Sequence, residues 1–123
     1  MRILYHIHYP DGYGEDRFTY DGYRYAFEKK GHEVFPVHQR IKAIEGLAVY
    51  PSIQDVKEPV NTISMYVAAD ISNGLAKDIL AKKPRRIIFN PGAENPELAQ
   101  KAKAEGILPV NACTLVMLNA NQF

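Results

Sequence analysis

The stretch from Arg85 to Leu118, RRIIFNPGAENPELAQKAKAEGILPVNACTLVML, restricts what this chain can fold into more than any other segment. Ile87-Ile88-Phe89 is a short apolar run of the kind that forms a strand buried on both faces, as in a parallel sheet. Asn90-Pro91-Gly92 ends that run, because Pro cannot donate to a ladder and Gly takes backbone angles that other residues avoid. Asn95-Pro96-Glu97 restarts the chain as a helix, with Asn as N-cap, Pro at the first helical position and an acid in the first turn. Leu98, Ala102 and Ile107 carry the apolar side, while Gln100, Lys101, Lys103 and Glu105 face water. Gly106 stops the helix, and Ile107-Leu108-Pro109-Val110 reads as the next strand. The whole is a strand–helix–strand unit with an expected right-handed connection. Its loop, Asn90 to Asn95, leaves the carboxyl end of a strand, where open α/β sheets bind ligands.

The rest of the chain repeats the alternation. Arg2 to His8 reads as a central parallel strand, with Ile3, Tyr5 and Ile7 on one side and Leu4, His6 and His8 on the other. Tyr9 to Gly14 is a turn-rich loop, and Glu15 or Asp16 opens a helix to about Lys30, stopped by Gly31. Phe18, Tyr23, Ala26 and Phe27 supply its buried stripe. Gly22 within it costs roughly 1 kcal/mol relative to Ala, which suits close approach of a neighbouring strand. Glu33 to Val37 is the second strand. Gln39 to Glu45 reads as a loop or weak helical turn, and Gly46 to Tyr50 as a short third extended piece. Pro51 and Pro59 bracket a segment with few regular signals. Val60 to Val67 is the next strand, with Ile63, Met65 and Val67 facing one way. A helix from about Asp70 to Lys82 carries Ile71, Leu75, Ile79 and Leu80, and Pro84 closes it. Thr114 to Leu118 reads as a short helix, or else an edge strand. This pattern predicts an α/β fold: a Rossmann-like doubly wound parallel sheet of about five strands in a three-layer α/β/α arrangement.

With 123 residues, a single domain is expected, large enough to bury a core without disulfide or metal staples. A formal net charge of +1 asks for no nucleic acid, anionic membrane or acidic partner. Cys113 is the lone cysteine, so no internal disulfide forms and a reduced, cytoplasmic setting is expected. No apolar run approaches the ~18 residues of a membrane span, and the opening residues lack a signal-peptide pattern. A homodimer through an exposed sheet edge or the apolar tail Leu115 to Leu118 is a further expectation.

Three loops leave strand carboxyl ends and should converge: Tyr9 to Asp16, His38 to Arg40, and Asn90 to Asn95. Gly12-Tyr13-Gly14 precedes a helix N-terminus, whose free N–H groups attract an anion. The third glycine of the dinucleotide fingerprint would fall at Arg17, and Glu15 and Asp16 repel phosphate, which Arg17 offsets. The same residues also read as a flexible turn with acidic capping. His6, His8 and His38 form a trio that could hold a metal, or serve as hydrogen-bonded core and rim histidines; no metal is predicted. Cys113 would need a base to act as a nucleophile and reads as a small buried core residue. Glu94 reads as a general base or as helix-start electrostatics. No Ser-His-Asp order and no P-loop is visible, so no catalytic residue is assigned.

Residues 32 to 123 resemble the small CoA-binding domain family, single-domain Rossmann-like proteins related to the CoA-binding part of succinyl-CoA synthetase. The resemblance is carried by Gly31-His32-Glu33-Val34 into Pro36-Val37, Ile44-Glu45-Gly46, Val60-Asn61-Thr62 into Tyr66-Val67, and Ile88-Phe89-Asn90-Pro91-Gly92 with Glu94-Asn95. Gly106-Ile107 and Asn111-Ala112-Cys113-Thr114-Leu115-Val116-Met117-Leu118 complete it. It implies CoA across the strand ends, with pyrophosphate at the first loop (Pro10, Gly12, Tyr13, Gly14, Arg17). Contacts from Val37-His38, Val67-Ala68 and Asn90-Pro91-Gly92 would complete the site. The family has Gly-Ala-Ser directly after the first strand, where this chain has His6-Ile7-His8-Tyr9-Pro10 and a longer loop. Residues 1 to 35 instead resemble the opening of certain GT-B glycosyltransferases, through Arg2-Ile3-Leu4-Tyr5-His6 and His8-Tyr9-Pro10-Asp11-Gly12 with Asp16-Arg17. The two resemblances meet near Gly31-His32-Glu33-Val34, so one reading is a recombinant, natural or engineered, that keeps the fold without the ligand site. Another is a fragment of glycosyltransferase ancestry. The leading expectation is a non-enzymatic domain that binds CoA or a similar adenine nucleotide.

Overall fold

The computed structural model describes residues 2–6, 33–37, 43–44, 47–48 and 50–120. The expected loop and helix between Tyr9 and Lys30, with Gly22, lie outside the described residues. In chain order the elements are β1 (Arg2–His6), β2 (Glu33–Val37), β3 (Ala43–Ile44), β4 (Leu47–Ala48), a 3-10 turn (Ile53–Asp55) and β5 (Thr62–Met65). α1 (Ala69–Ala81), β6 (Arg86–Phe89), α2 (Pro96–Ala104), β7 (Leu108–Asn111) and α3 (Thr114–Asn119) follow. Five strands form one parallel sheet in the order β2-β1-β5-β6-β7. The chain therefore steps one way from β1 to β2 and the other way through β5, β6 and β7. The order reverses between β1 and β5, and that reversal defines a doubly wound sheet.

Alternation along the strands sorts side chains between two faces. Ile63 and Met65 of β5 and Ile87 and Phe89 of β6 join Ala76 and Ile79 of α1 and Leu98 and Ala102 of α2 in one buried cluster. Ile88 and Ser64 are equally buried but point to the opposite face. There Ser64 meets Thr114 at the start of α3, with 2.8 Å between the hydroxyl oxygens. Helices thus cover both faces, and the strands read as near-continuous apolar runs because neither face is wet.

Several boundaries and faces differ from the sequence reading. The β1 strand is described over Arg2–His6, with Ile7 and His8 of the expected strand outside the described residues, and β5 is Thr62–Met65 rather than Val60 to Val67, although Val60 and Val67 are themselves buried. Along α1 the buried line runs through Ser72, Ala76 and Ile79, leaving Ile71, Leu75 and Leu80 only half-buried. Ser72 on that line accepts a hydrogen bond from Asn95 at the start of α2. The segment expected as a loop and a lone extended piece contains a small antiparallel pair instead. Ile44 pairs with Leu47, which leaves only Glu45-Gly46 between the strands, the spacing of a tight hairpin. Tyr50 bridges to Val37 and meets Phe35 edge-on, ring centroids 6.0 Å apart. The 3-10 turn between Pro51 and Pro59 plugs Ile53 into the main core, with Val56 just beyond it. Asp78 of α1 accepts a hydrogen bond from Gln54 at 2.6 Å, tying that turn to the helix.

At the amino ends of the strands, α1 stops one residue before Lys82, whose ammonium donates to the Val56 carbonyl. Burial pushes the Lys82 ammonium below its usual pKa, with Lys57 acting in the same direction and Glu58 against it. Lys83 follows with φ +51°, the left-handed position that ends many helices and that glycine fills most easily. Its N–H donates to the Leu80 carbonyl at 3.1 Å, and Pro84 prevents the helix from continuing. Arg86 opens β6 with its Nε donating to Thr62 Oγ1 at 2.9 Å, and burial lowers the pKa of this guanidinium.

Two consequences can be measured. Phe89 is fully buried, so Phe89→Ala should lower unfolding free energy by about 3–5 kcal/mol in urea titrations. Lys83→Gly should do the opposite, raising stability by about 1 kcal/mol, because glycine removes the Cβ clash of the left-handed conformation.

Candidate functional site

The strand registers align the carboxyl ends in a single row. Val37 pairs with His6, His6 with Met65, Met65 with Phe89, and Phe89 with Asn111. Every loop that follows one of these residues leaves from the same edge of the sheet. That edge includes the β1/β5 reversal, the kind of position at which open α/β sheets bind ligands. The predicted site residues within the described structure lie there. Val37 ends β2, Val67-Ala68 follow β5 at the head of α1, and Asn90-Pro91-Gly92 follow β6. Pro10, Gly12, Tyr13, Gly14, Arg17 and His38 lie outside the described residues, as does His8 of the histidine trio. Among the described residues no group of three or more His, Cys, Asp and Glu side chains comes together as a metal site.

The Asn90–Asn95 loop is pinned at both ends by buried side-chain amides. Asn90 is 1% exposed and Asn95 3%. Asn90 Nδ2 donates to Ser64 Oγ at 3.0 Å and to the Met65 carbonyl at 2.9 Å. Its Oδ1 accepts the Thr114 N–H at 2.8 Å, which satisfies one of the donors that a helix start leaves open. One side chain therefore joins β5, β6 and α3. At the other end Asn95 acts as the predicted N-cap of α2, its Oδ1 accepting from the Leu98 N–H at 3.0 Å. Its Nδ2 reaches the head of α1, donating to Ser72 Oγ at 2.7 Å and Asn73 Oδ1 at 2.8 Å. The two anchors act on opposite faces of the sheet.

Between them the chain turns outward. The Ala93 N–H donates to the Asn90 carbonyl at 2.8 Å. Pro91 and Gly92, with Gly92 at φ +89°, occupy the middle of this turn, as in a type II β-turn. Both are exposed, whereas Ala93 is buried beneath them. Glu94 accepts from the Gly92 N–H through both carboxylate oxygens, at 3.0 and 3.2 Å. It thus stiffens the turn. Ala68, at the N-cap of α1, is exposed and supplies no side-chain cap. Ile71 N–H already donates to the Ala68 carbonyl at 3.0 Å, so the N–H groups of Ala69 and Asp70 are the ones this 13-residue helix leaves without an intrahelical partner. Cys113, expected to be buried, is half-buried in the loop after β7. The position follows from the turn there, which sends Ala112 N–H to the Phe89 carbonyl at 3.1 Å and leaves the next side chain at the rim.

Sequence reasoning found the loop and its Asn95 cap but not the hydrogen-bonded centre behind it. Ser64, Thr114 and Asn90 lie 50 and 26 residues apart in two of their pairings. The available signal was a hydroxyl in the middle of the otherwise apolar run Ile63-Ser64-Met65, since a buried hydroxyl needs a partner.

The arrangement matches known proteins along its length. The CoA binding domain family model matches residues 12–119. A crystal structure of an uncharacterized protein is 31% identical, with a TM-score of 0.79 over 99% of this chain and 97% of that chain. Cell-free ID.343 from Thermus thermophilus is 23% identical, with a TM-score of 0.78 over 99% and 90% of the two chains. The dinucleotide-forming acetyl-coenzyme A synthetase 1 of Ca. Korarchaeum cryptofilum is 19% identical, with a TM-score of 0.66 over 90% of this chain but 25% of its own. Among curated proteins nothing matches the sequence. One family model runs through the Gly31–Val34 junction where the recombinant reading placed its seam, so neither that reading nor the glycosyltransferase resemblance gains support. No helix among the described residues is long and apolar enough to cross a membrane. From its fold and from a match over most of its length, the chain belongs to the CoA binding domain family.

Proposed function

We propose that this chain is a non-enzymatic binding domain for CoA, or for a closely similar adenine nucleotide, bound across the carboxyl ends of the sheet. The observation that carries the reading is the paired anchoring of the Asn90–Asn95 loop, which presents Pro91 and Gly92 on a rigid base beside the open head of α1. A binding surface needs such pre-organisation, because ordering a loose loop would consume affinity. The diphosphate is assigned to the Gly12–Arg17 loop. Val37, His38, Val67, Ala68, Asn90, Pro91 and Gly92 form the wall along which the rest of the ligand lies. The family membership supports CoA as the ligand. The likeness to an acetyl-CoA synthetase over 25% of that chain supports a binding module of the kind larger enzymes use as one part. No acid–base pair or activated nucleophile is assigned, so the proposed role ends at binding.

Calorimetric melting with CoA, ADP and NAD tests this directly. CoA at about one hundred times its dissociation constant should stabilise the fold by about 2.7 kcal/mol. No shift from any of the three ligands at millimolar concentration would overturn the proposal.

Ala68→Asp separates binding from folding. An acid at the N-cap of α1 should raise the stability of the free protein by about 1 kcal/mol. The same charge should weaken binding of the anionic ligand by about tenfold in isothermal titration. Equal affinity in the two proteins would remove the head of α1 from the site.

Asn90→Ala leaves the Ser64 hydroxyl, the Met65 carbonyl and the Thr114 N–H short of a buried partner. It should cost about 2–3 kcal/mol in urea unfolding and weaken CoA binding at temperatures where the variant remains folded.

A further inference from the structure

A second cleft lies at the opposite pole of the sheet, where the ends of α1 and α2 feed into β6 and β7. It has a volume of about 470 Å³ and is lined by Leu80, Lys83, Pro84, Arg85, Glu105, Gly106 and Ile107. Arg85 and Asn90 flank β6, so by strand rise the two poles are separated by roughly 16 Å. We infer that this cleft is a second ligand site, taking a small carboxylate with an apolar body, its charge held by Lys83 and Arg85 and its body resting on Leu80, Pro84 and Ile107.

Three observations lead there. The first is the charge that folding leaves unused. Of the run Lys82-Lys83-Pro84-Arg85-Arg86, Lys82 donates to the Val56 carbonyl and Arg86 to Thr62 Oγ1. Lys83 and Arg85 are exposed, and among the described residues neither side chain makes a hydrogen bond or ion pair. The carboxyl end of α1 attracts cations, which accounts for a lysine just beyond its C-cap. It does not account for Arg85, which lies beyond Pro84 and outside the helix.

The second is the backbone at Lys83. This residue holds φ +51° at a position where glycine would be less strained. A residue kept in a costly conformation is a recognised mark of function when its side chain has a use there. Here the left-handed turn sets an ammonium at the lip of the cleft.

The third is the lining itself. Ile107 is buried and Leu80 half-buried, so the apolar residues of the lining are anchored in the core. Glu105 also lines the cleft, yet forms no ion pair with Lys83 or Arg85 among the described residues. The opposed charges flank an open space instead of closing it. A carboxylate fits the cationic lip, where Arg85 can engage both oxygens. A phosphate dianion would be repelled more strongly by Glu105. An apolar body gains by covering the apolar lining residues.

Amide chemical-shift titration of the full chain with phenylacetate, phenylacetamide and inorganic phosphate tests the assignment. Saturable shifts confined to residues 80–85 and 105–107 are expected with phenylacetate. The neutral amide should bind about tenfold more weakly, since the charge-assisted contacts are lost. Phosphate should bind less tightly than phenylacetate. Arg85→Gln and Lys83→Gly should each abolish the phenylacetate shifts, and Lys83→Gly should do so while raising the melting temperature, which separates lost binding from lost folding. The proposal is overturned by any of three results: no saturable shift at about 10 mM, equal binding of the amide, or unchanged binding in both variants.

Discussion

A single primary amide, buried at the end of the central strand pair, is what the carboxyl rim depends on. Asn90 offers two donors and an acceptor, and the structure uses both kinds at once. The donors must face β5, because Ser64 Oγ and the Met65 carbonyl can accept, while the acceptor must face α3, whose first N–H is otherwise open. An aspartate would present a charged acceptor toward the Met65 carbonyl, and a leucine of similar volume would leave three polar groups buried without this partner. Burial makes the requirement strict, because water is not there to substitute.

The rim inherits its shape from this constraint. With one end held by Asn90 and the other by Asn95, the intervening turn has little freedom except to project Pro91 and Gly92 outward. Asn95 also couples the loop to the head of α1 through Ser72 and Asn73. Ala68 and the Pro91-Gly92 turn are thereby fixed relative to one another without sharing a covalent neighbour. The two poles of the sheet then differ in character. The carboxyl pole combines open helix donors with a compact turn, whereas the amino pole gathers Lys83 and Arg85 beside apolar lining residues. The proline at the centre of β7 bears on the outer edge as well. Leu108 and Ala112 donate inward to β6, so the outward-facing positions between them are Pro109 and Asn111, of which Pro109 has no N–H. Edge-to-edge pairing with a second sheet lacks that donor.

Legibility from sequence followed the range of the interaction. Asn95-Pro96-Glu97 announced the start of α2 because capping is decided within one turn of chain. Gly106 announced its end, and its φ of +78° is the reason. The strand order could be anticipated as a class, since apolar runs of four residues separated by helices have few ways to bury both faces. Along α1 the apolar pattern pointed to Ile79, which is fully buried, and to Ile71, Leu75 and Leu80, which pack half-buried against the core, but it gave no sign of Ser72 and Ala76, which share the buried line with Ile79. The hairpin at Ala43–Ile44 and Leu47–Ala48 escaped as well, because strands of two residues carry almost no periodicity.

The sequence by itself determined the alternation of strands and helices, the loops at strand ends and the identity of the residues that cap and break each element. These are local matters of sterics and of hydrogen bonds between near neighbours. Only the tertiary structure decided that Ser64, Asn90 and Thr114 meet behind the rim, that Asn95 reaches Ser72, and that Lys83 and Arg85 share a cleft with Glu105. Those meetings join segments twenty or more residues apart, and strand register sets them rather than any preference of the chain nearby.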